Sequence, residues 1–82
     1  MSTAQLQNDI LEILASSPSG EVFESSVLES LKYKGWKNLG VQSQFNWWEN
    51  LGFDRVFVAK GGARIPAKQY AGQVIRRTLI CL

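Results

Sequence analysis

The sequence predicts a small α+β domain with its helices first and its strands last, and three observations carry that prediction. Apolar residues recur at helical spacing in the first half of the chain. β-Branched and aromatic residues crowd together at 54–60 and again near the C-terminus, the composition of strands. Between these stretches stand the breakers Ser16-Ser17-Pro18-Ser19-Gly20, Gly35, Gly52 and Gly61-Gly62. At 82 residues the whole chain, 1–82, has the length of one domain. Three Trp, four Phe and two Tyr supply enough apolar surface to argue against disorder.

The first helix is expected at about 4–15. Leu6, Ile10, Ile13 and Leu14 form its apolar stripe, Gln5, Gln7, Asn8, Asp9 and Glu12 its polar side, and Thr3 its cap. Leu11 falls off the stripe. Glu21-Val22-Phe23 is too short to assign alone, although it suits a brief extended segment feeding a sheet. Ser26-Val27-Leu28-Glu29 matches a capping box, which starts a second helix at about 26–34 with Val27, Leu28 and Leu31 inward. A third helix is expected at about 39–51. Its inward face is Val41, Gln44, Phe45, Trp48 and Leu51, and its outward face is Gln42, Ser43, Asn46 and Asn50. Successive residues lie about 100° apart on a helix, so the adjacent Trp47 and Trp48 divide between rim and core. Gly52 closes that helix as its C-terminal cap.

Strands are expected at about 54–60 and 73–81. The second could also be a helix, because 74, 75, 78, 79 and 82 share a helical face. A strand is preferred because the first strand needs an edge to pair with. The residues between them, Ala63 to Gly72, read as an irregular excursion, long for a hairpin loop.

Charge is segregated along the chain. Residues 1–31 hold five acidic side chains and no Lys or Arg, whereas residues 32–82 hold all nine basic ones against Glu49 and Asp54. Clustered positive charge of this kind suits a polyanionic partner. With no histidine and one cysteine, the chain offers neither a His acid–base group nor a zinc site, and no cofactor or metal is expected. Nothing resembles a phosphate loop, and no acid pair flanks a nucleophile, so the chain does not read as an enzyme. Cys81 fits a reducing compartment, with an intermolecular bridge left open by sequence. No apolar run spans a bilayer and no N-terminal stretch reads as a signal peptide, which points to the cytoplasm and away from a membrane.

Three helices followed by a β-hairpin, with Trp48-Glu49-Asn50-Leu51-Gly52-Phe53 running from the third helix into the first wing strand, resembles a winged helix-turn-helix DNA-binding domain. The likeness is one of architecture, covers about Leu6 to Leu82, and carries no residue-by-residue signature. It implies that the third helix enters the major groove of double-stranded DNA with Gln42, Ser43, Asn46 and Asn50 facing base edges, where amides can pair with adenine. Lys32, Lys34 and Lys37 precede that helix as phosphate contacts, and Lys60, Arg64 and Lys68 belong to the wing. Arg76 and Arg77 alternate faces in a strand, so one of them, taken as Arg76, faces DNA. Trp47 either packs against the wing or the second helix, or contacts the phosphate backbone of DNA or a partner; Trp36 covers one end of the core. The implied role is a small transcriptional regulator or accessory DNA-binding protein. The rival reading is a protein-interaction module, docking or forming a homodimer through its acidic first helix.

Overall fold

The computed structural model describes residues 2–39 and 46–82. Along the chain run α1 (Thr3–Ala15), β1 (Glu21–Phe23), α2 (Glu24–Tyr33), α3 (Trp47–Asn50), β2 (Asp54–Ala59), β3 (Arg64–Pro66), a 3-10 turn (Ala67–Gln69) and β4 (Ile75–Cys81). The strands form one antiparallel sheet in the order β1-β4-β2-β3. The chain is therefore an α+β domain, and its C-terminal segment is a strand. The order of elements differs from three helices followed by a simple hairpin: one strand lies between the first two helices, and another fills the supposed excursion.

Local chemistry accounts for the helix ends. The Ser2 hydroxyl accepts the Gln5 N–H at 3.2 Å, so the cap of α1 is Ser2 and not Thr3. Leu6, Ile10, Ile13 and Leu14 are buried as their spacing requires, while Leu11 is exposed. The Ser26–Glu29 capping box does not form. Phe23 ends β1 opposite Leu79 and stands in extended conformation at the helix boundary, so α2 starts at Glu24 and Ser26 falls inside it.

Two helices end in the same device. At the end of α2, Gly35 (φ 100°) donates to the Lys32 carbonyl and Trp36 to the Leu31 carbonyl, both at 3.0 Å. At the end of α3, Gly52 (φ 88°) donates to Glu49 at 2.9 Å and Phe53 to Trp48 at 3.0 Å. Both are Schellman motifs, in which a left-handed residue satisfies the last free carbonyls and turns the next side chain back onto the helix. That next residue is aromatic in each case: Trp36 packs on the core and Phe53 lies within it. The sequence pattern predicts the third helix from residue 39, but Leu39 is not helical and follows Asn38 at φ 61°. Val41, Gln42, Ser43, Gln44 and Phe45 lie outside the described residues.

The third strand has an equally local cause. Gly61 and Gly62 both hold positive φ, the Gly62 N–H reaches the Ala59 carbonyl and the Ala59 N–H reaches Ala63, each at 2.9 Å. This tight reversal lays Arg64–Pro66 against β2 in register, with Val56, Phe57 and Val58 facing Pro66, Ile65 and Arg64. The 3-10 turn then carries Tyr70 edge-on to Phe57, with ring centroids 5.2 Å apart.

Trp48 is fully buried among Ile10, Leu14, Val27, Leu31 and Ile80. Its indole N–H donates to the Glu24 carboxylate at 2.7 Å, joining α3 to the first turn of α2. Trp47 is half-buried and meets Trp48 edge-on at 4.7 Å, the division between core and rim that helical phase dictates. Trp36 makes a parallel link, donating to the Asp9 carboxylate on α1 at 2.8 Å.

Replacing Trp48 with Ala is expected to cost about 3–5 kcal/mol through lost burial and the cavity left behind, and replacing Trp47 clearly less. Glu24→Ala should cost about 1–3 kcal/mol, because the buried indole N–H loses its acceptor, whereas Glu24→Gln keeps a carbonyl there and should cost less. Denaturant unfolding of the four variants checks both rankings.

Candidate nucleic-acid interface

Six of the nine basic residues lie between Arg55 and Arg77, and from Arg55 to the C-terminus there is no acidic residue. The sheet register gathers part of this charge at one end. Lys60 opens the β2–β3 turn, and its N–H reaches the Val74 carbonyl at 3.3 Å. Arg64 and Arg77 both lie opposite Val58, and Arg76 precedes Arg77 on β4. Lys60, Arg64, Arg76 and Arg77 therefore share one end of the sheet. Arg76 and Arg77 also line a hollow beside Phe23 and Ser25 at the start of α2. Lys68 stands apart on the exposed 3-10 turn.

Partners distinguish these cations. Arg64 reaches across to pair with Glu21 of β1, and the hydrogen bond to that carboxylate, with its charge, raises the guanidinium pKa further. Arg55 sits 3.9 Å from Glu49 and packs over the Phe57 ring. The Arg77 guanidinium lies 4.8 Å from the centre of the Phe23 ring. Among the described residues, Lys60, Lys68, Arg76 and Arg77 have no carboxylate within ion-pair distance, and Lys60, Lys68 and Arg76 are exposed.

A second basic group surrounds the end of α2. Lys34 caps that helix and lies 3.6 Å from Glu12 of α1. Lys32 and Lys37, both exposed, border a groove of about 910 Å³ with Leu28, Tyr33, Trp36 and Leu39. Of the expected base-reading residues, Asn46 is exposed at the N-cap position of α3 and Asn50 is exposed at its last residue, a helix of four residues. Gln42 and Ser43 lie outside the described residues. Trp47 is part of the packing against Trp48 and the core.

Helix α1 engages both of its carboxylates within the chain: Asp9 accepts the Trp36 indole N–H, and the exposed Glu12 pairs with Lys34. Sequence reasoning missed these links and the Glu21–Arg64 pair, because all join residues at least 22 positions apart. A hint existed in the early acids, which had no basic residues nearby in the chain to answer them. Among the described residues no His, Cys, Asp and Glu group could hold a metal, and no helix is long and apolar enough to cross a membrane.

Comparison with protein-family models, curated proteins and solved structures finds no match to this chain.

Cys81 lies half-buried beside the Glu21–Arg64 pair. Burial pushes its thiol pKa up, the Glu21 carboxylate adds to the rise, and Arg64 opposes it. Little thiolate is then present at neutral pH, and the thiolate is the reactive form. Alkylation by iodoacetamide at neutral pH should be slower for the folded protein than for the same protein in denaturant, as followed by mass spectrometry.

Proposed function

We propose that the protein binds double-stranded DNA as a cytoplasmic winged-helix regulator or accessory protein, with the β2–β4 region as its wing. The observation that carries this reading is the acid-free segment from Arg55 onward, which brings Lys60 and Arg76 to one end of the sheet without carboxylate partners. A group of cations left without internal counter-charge presents a positive potential to phosphates, and release of the DNA's counterions then favours binding. The pairing of β1 with β4 supports the architectural resemblance, since it backs the wing strands against the helices. Asn46 and Asn50 remain exposed at the ends of α3, in keeping with a reading face there. Asp9 accepts the Trp36 indole N–H and Glu12, although exposed, pairs with Lys34, which weakens α1 as an acidic docking face.

Duplex affinity should fall linearly with salt on logarithmic axes. Neutralising Lys60, Lys68 and Arg76 together should weaken binding to unrelated duplexes about equally. It should also reduce the salt slope by about one for each phosphate that the variant no longer neutralises. Fluorescence anisotropy at several salt concentrations measures both; an unchanged affinity in the triple variant would remove the wing from the interface.

Asn46→Ala should leave stability nearly unchanged and cost about 1–3 kcal/mol of discrimination between a selected site and a mismatched one if the amide pairs with adenine. Sites enriched from a random duplex pool provide the two ligands. Equal losses on both would assign Asn46 to backbone positioning, and no loss on either would leave it as ordinary surface.

A further inference from the structure

The sheet has two unlike faces. Val22 and Ile80 point toward the helices, since Ile80 is fully buried and Val22 packs on the core. Alternation along each strand therefore places Glu21, Phe23, Asp54, Val56, Val58, Arg64, Pro66, Arg77, Leu79 and Cys81 on the opposite, outer face. The register sorts those side chains into three rows across the strands. Glu21, Cys81 and Asp54 are aligned at one end. Phe23, Leu79, Val56 and Pro66 form the middle row. Arg77, Val58 and Arg64 form the third. The outer face thus carries Asp54 at one end, is apolar across its middle and carries Arg77 at the other, while the Arg64 guanidinium reaches back to Glu21.

Among the described residues no helix covers this face, since α1, α2 and α3 pack into the core that contains Ile80. Phe23 is 39% exposed, and Val56, Val58 and Leu79 are only half-buried. Glu21 and Arg64 already pair with each other across the apolar row. Asp54 and Arg77, both exposed and at opposite ends, have no ion-pair partner among the described residues.

We propose that the outer sheet face is the contact surface of a symmetric homodimer. A two-fold axis lying in the contact plane along the apolar row sets Phe23, Leu79 and Val56 of one copy over the same residues of its mate. The same rotation reverses the strands, so the Asp54 end of each copy meets the Arg77 end of the other. Asp54 then lies near the position of Arg77 on the facing sheet, within reach of its long guanidinium side chain across the usual ~10 Å separation of packed sheets. An axis along the strands would bring acid onto acid and is disfavoured. Self-complementarity of this kind is what an isologous interface needs, and it selects a second copy of this chain over an unrelated partner. The surface is separate from α1 and uses Arg77, leaving Lys60 and Lys68 outside it. The proposal does not depend on the DNA-binding reading.

Sedimentation equilibrium of the full chain without nucleic acid tests it. The wild type should show a concentration-dependent monomer–dimer equilibrium that weakens with salt. Asp54→Arg and Arg77→Glu, each at an exposed position, should each raise the dimer dissociation constant about tenfold or more by facing like charges across the contact. Mixed in equal amounts, the two variants should recover a dimer, because the Arg introduced at 54 then faces the Glu introduced at 77 and the native pair forms on the other side. Circular dichroism melts establish that each variant is folded, and Asp54→Lys with Arg77→Asp serve as replacements should either fail. A wild type that is monomeric up to its solubility limit would overturn the proposal. So would a dimer that neither substitution weakens, or one that mixing does not restore.

Discussion

The hydrogen bond from the buried Trp48 indole to Glu24 is the constraint on which the arrangement of the helices depends. An indole ring at the centre of so small a core contributes a large share of the apolar surface removed from water, but its N–H must find an acceptor there. Glu24 can supply one because α2 begins directly at the end of β1, three residues earlier than a Ser26 cap would have allowed. The β1–β4 pairing that ends at Phe23 thus fixes the start of α2, which in turn positions the acceptor for α3. Sheet and helices are coupled through one side-chain contact.

Trp36 repeats the principle on the other side of the core, tying the end of α2 to Asp9 of α1. In both places a glycine with positive φ closes a helix and an aromatic residue follows it inward. The same two motifs therefore end the helices and deliver packing groups. The amide of Gln7, bonded to the Leu51 carbonyl at 3.3 Å, adds a third tie between α1 and the close of α3.

Charge segregation along the chain acquires two meanings in three dimensions. Part of it is consumed internally: Glu12 with Lys34, Glu21 with Arg64 and Glu49 with Arg55 match acids to bases distant or near in sequence. The remainder is arranged by strand register. The register shift between the Val58–Arg77 and Ala59–Ile75 pairs leaves Arg76 as an extra residue in β4, and the alignment of Asp54 with Cys81 and of Val58 with Arg77 gives the outer face its polarity. The surfaces proposed for DNA and for a second copy follow from that sorting and not from total charge.

Local sequence dictates the helical stripe of α1, the partition of Trp47 and Trp48, the glycine stop at Gly52 and the strand character of 54–59 and 75–81. Each is set by interactions within a few residues: helical or strand periodicity, a left-handed cap, β-branched packing. Of the expected interface, the segregation of basic residues was legible because it is a property of the chain alone. Tertiary structure decided the rest. The membership of Glu21–Phe23 in the sheet rests on β4, at the far end of the chain, and the early start of α2 follows from it. The third strand required both the Gly61-Gly62 reversal and a free edge of β2 to receive it. Which cations are neutralised depended on carboxylates brought from elsewhere, as Arg64 shows with Glu21. Such contacts leave no local trace, because the chain entropy lost in closing a long loop is offset only when the whole fold brings both ends together.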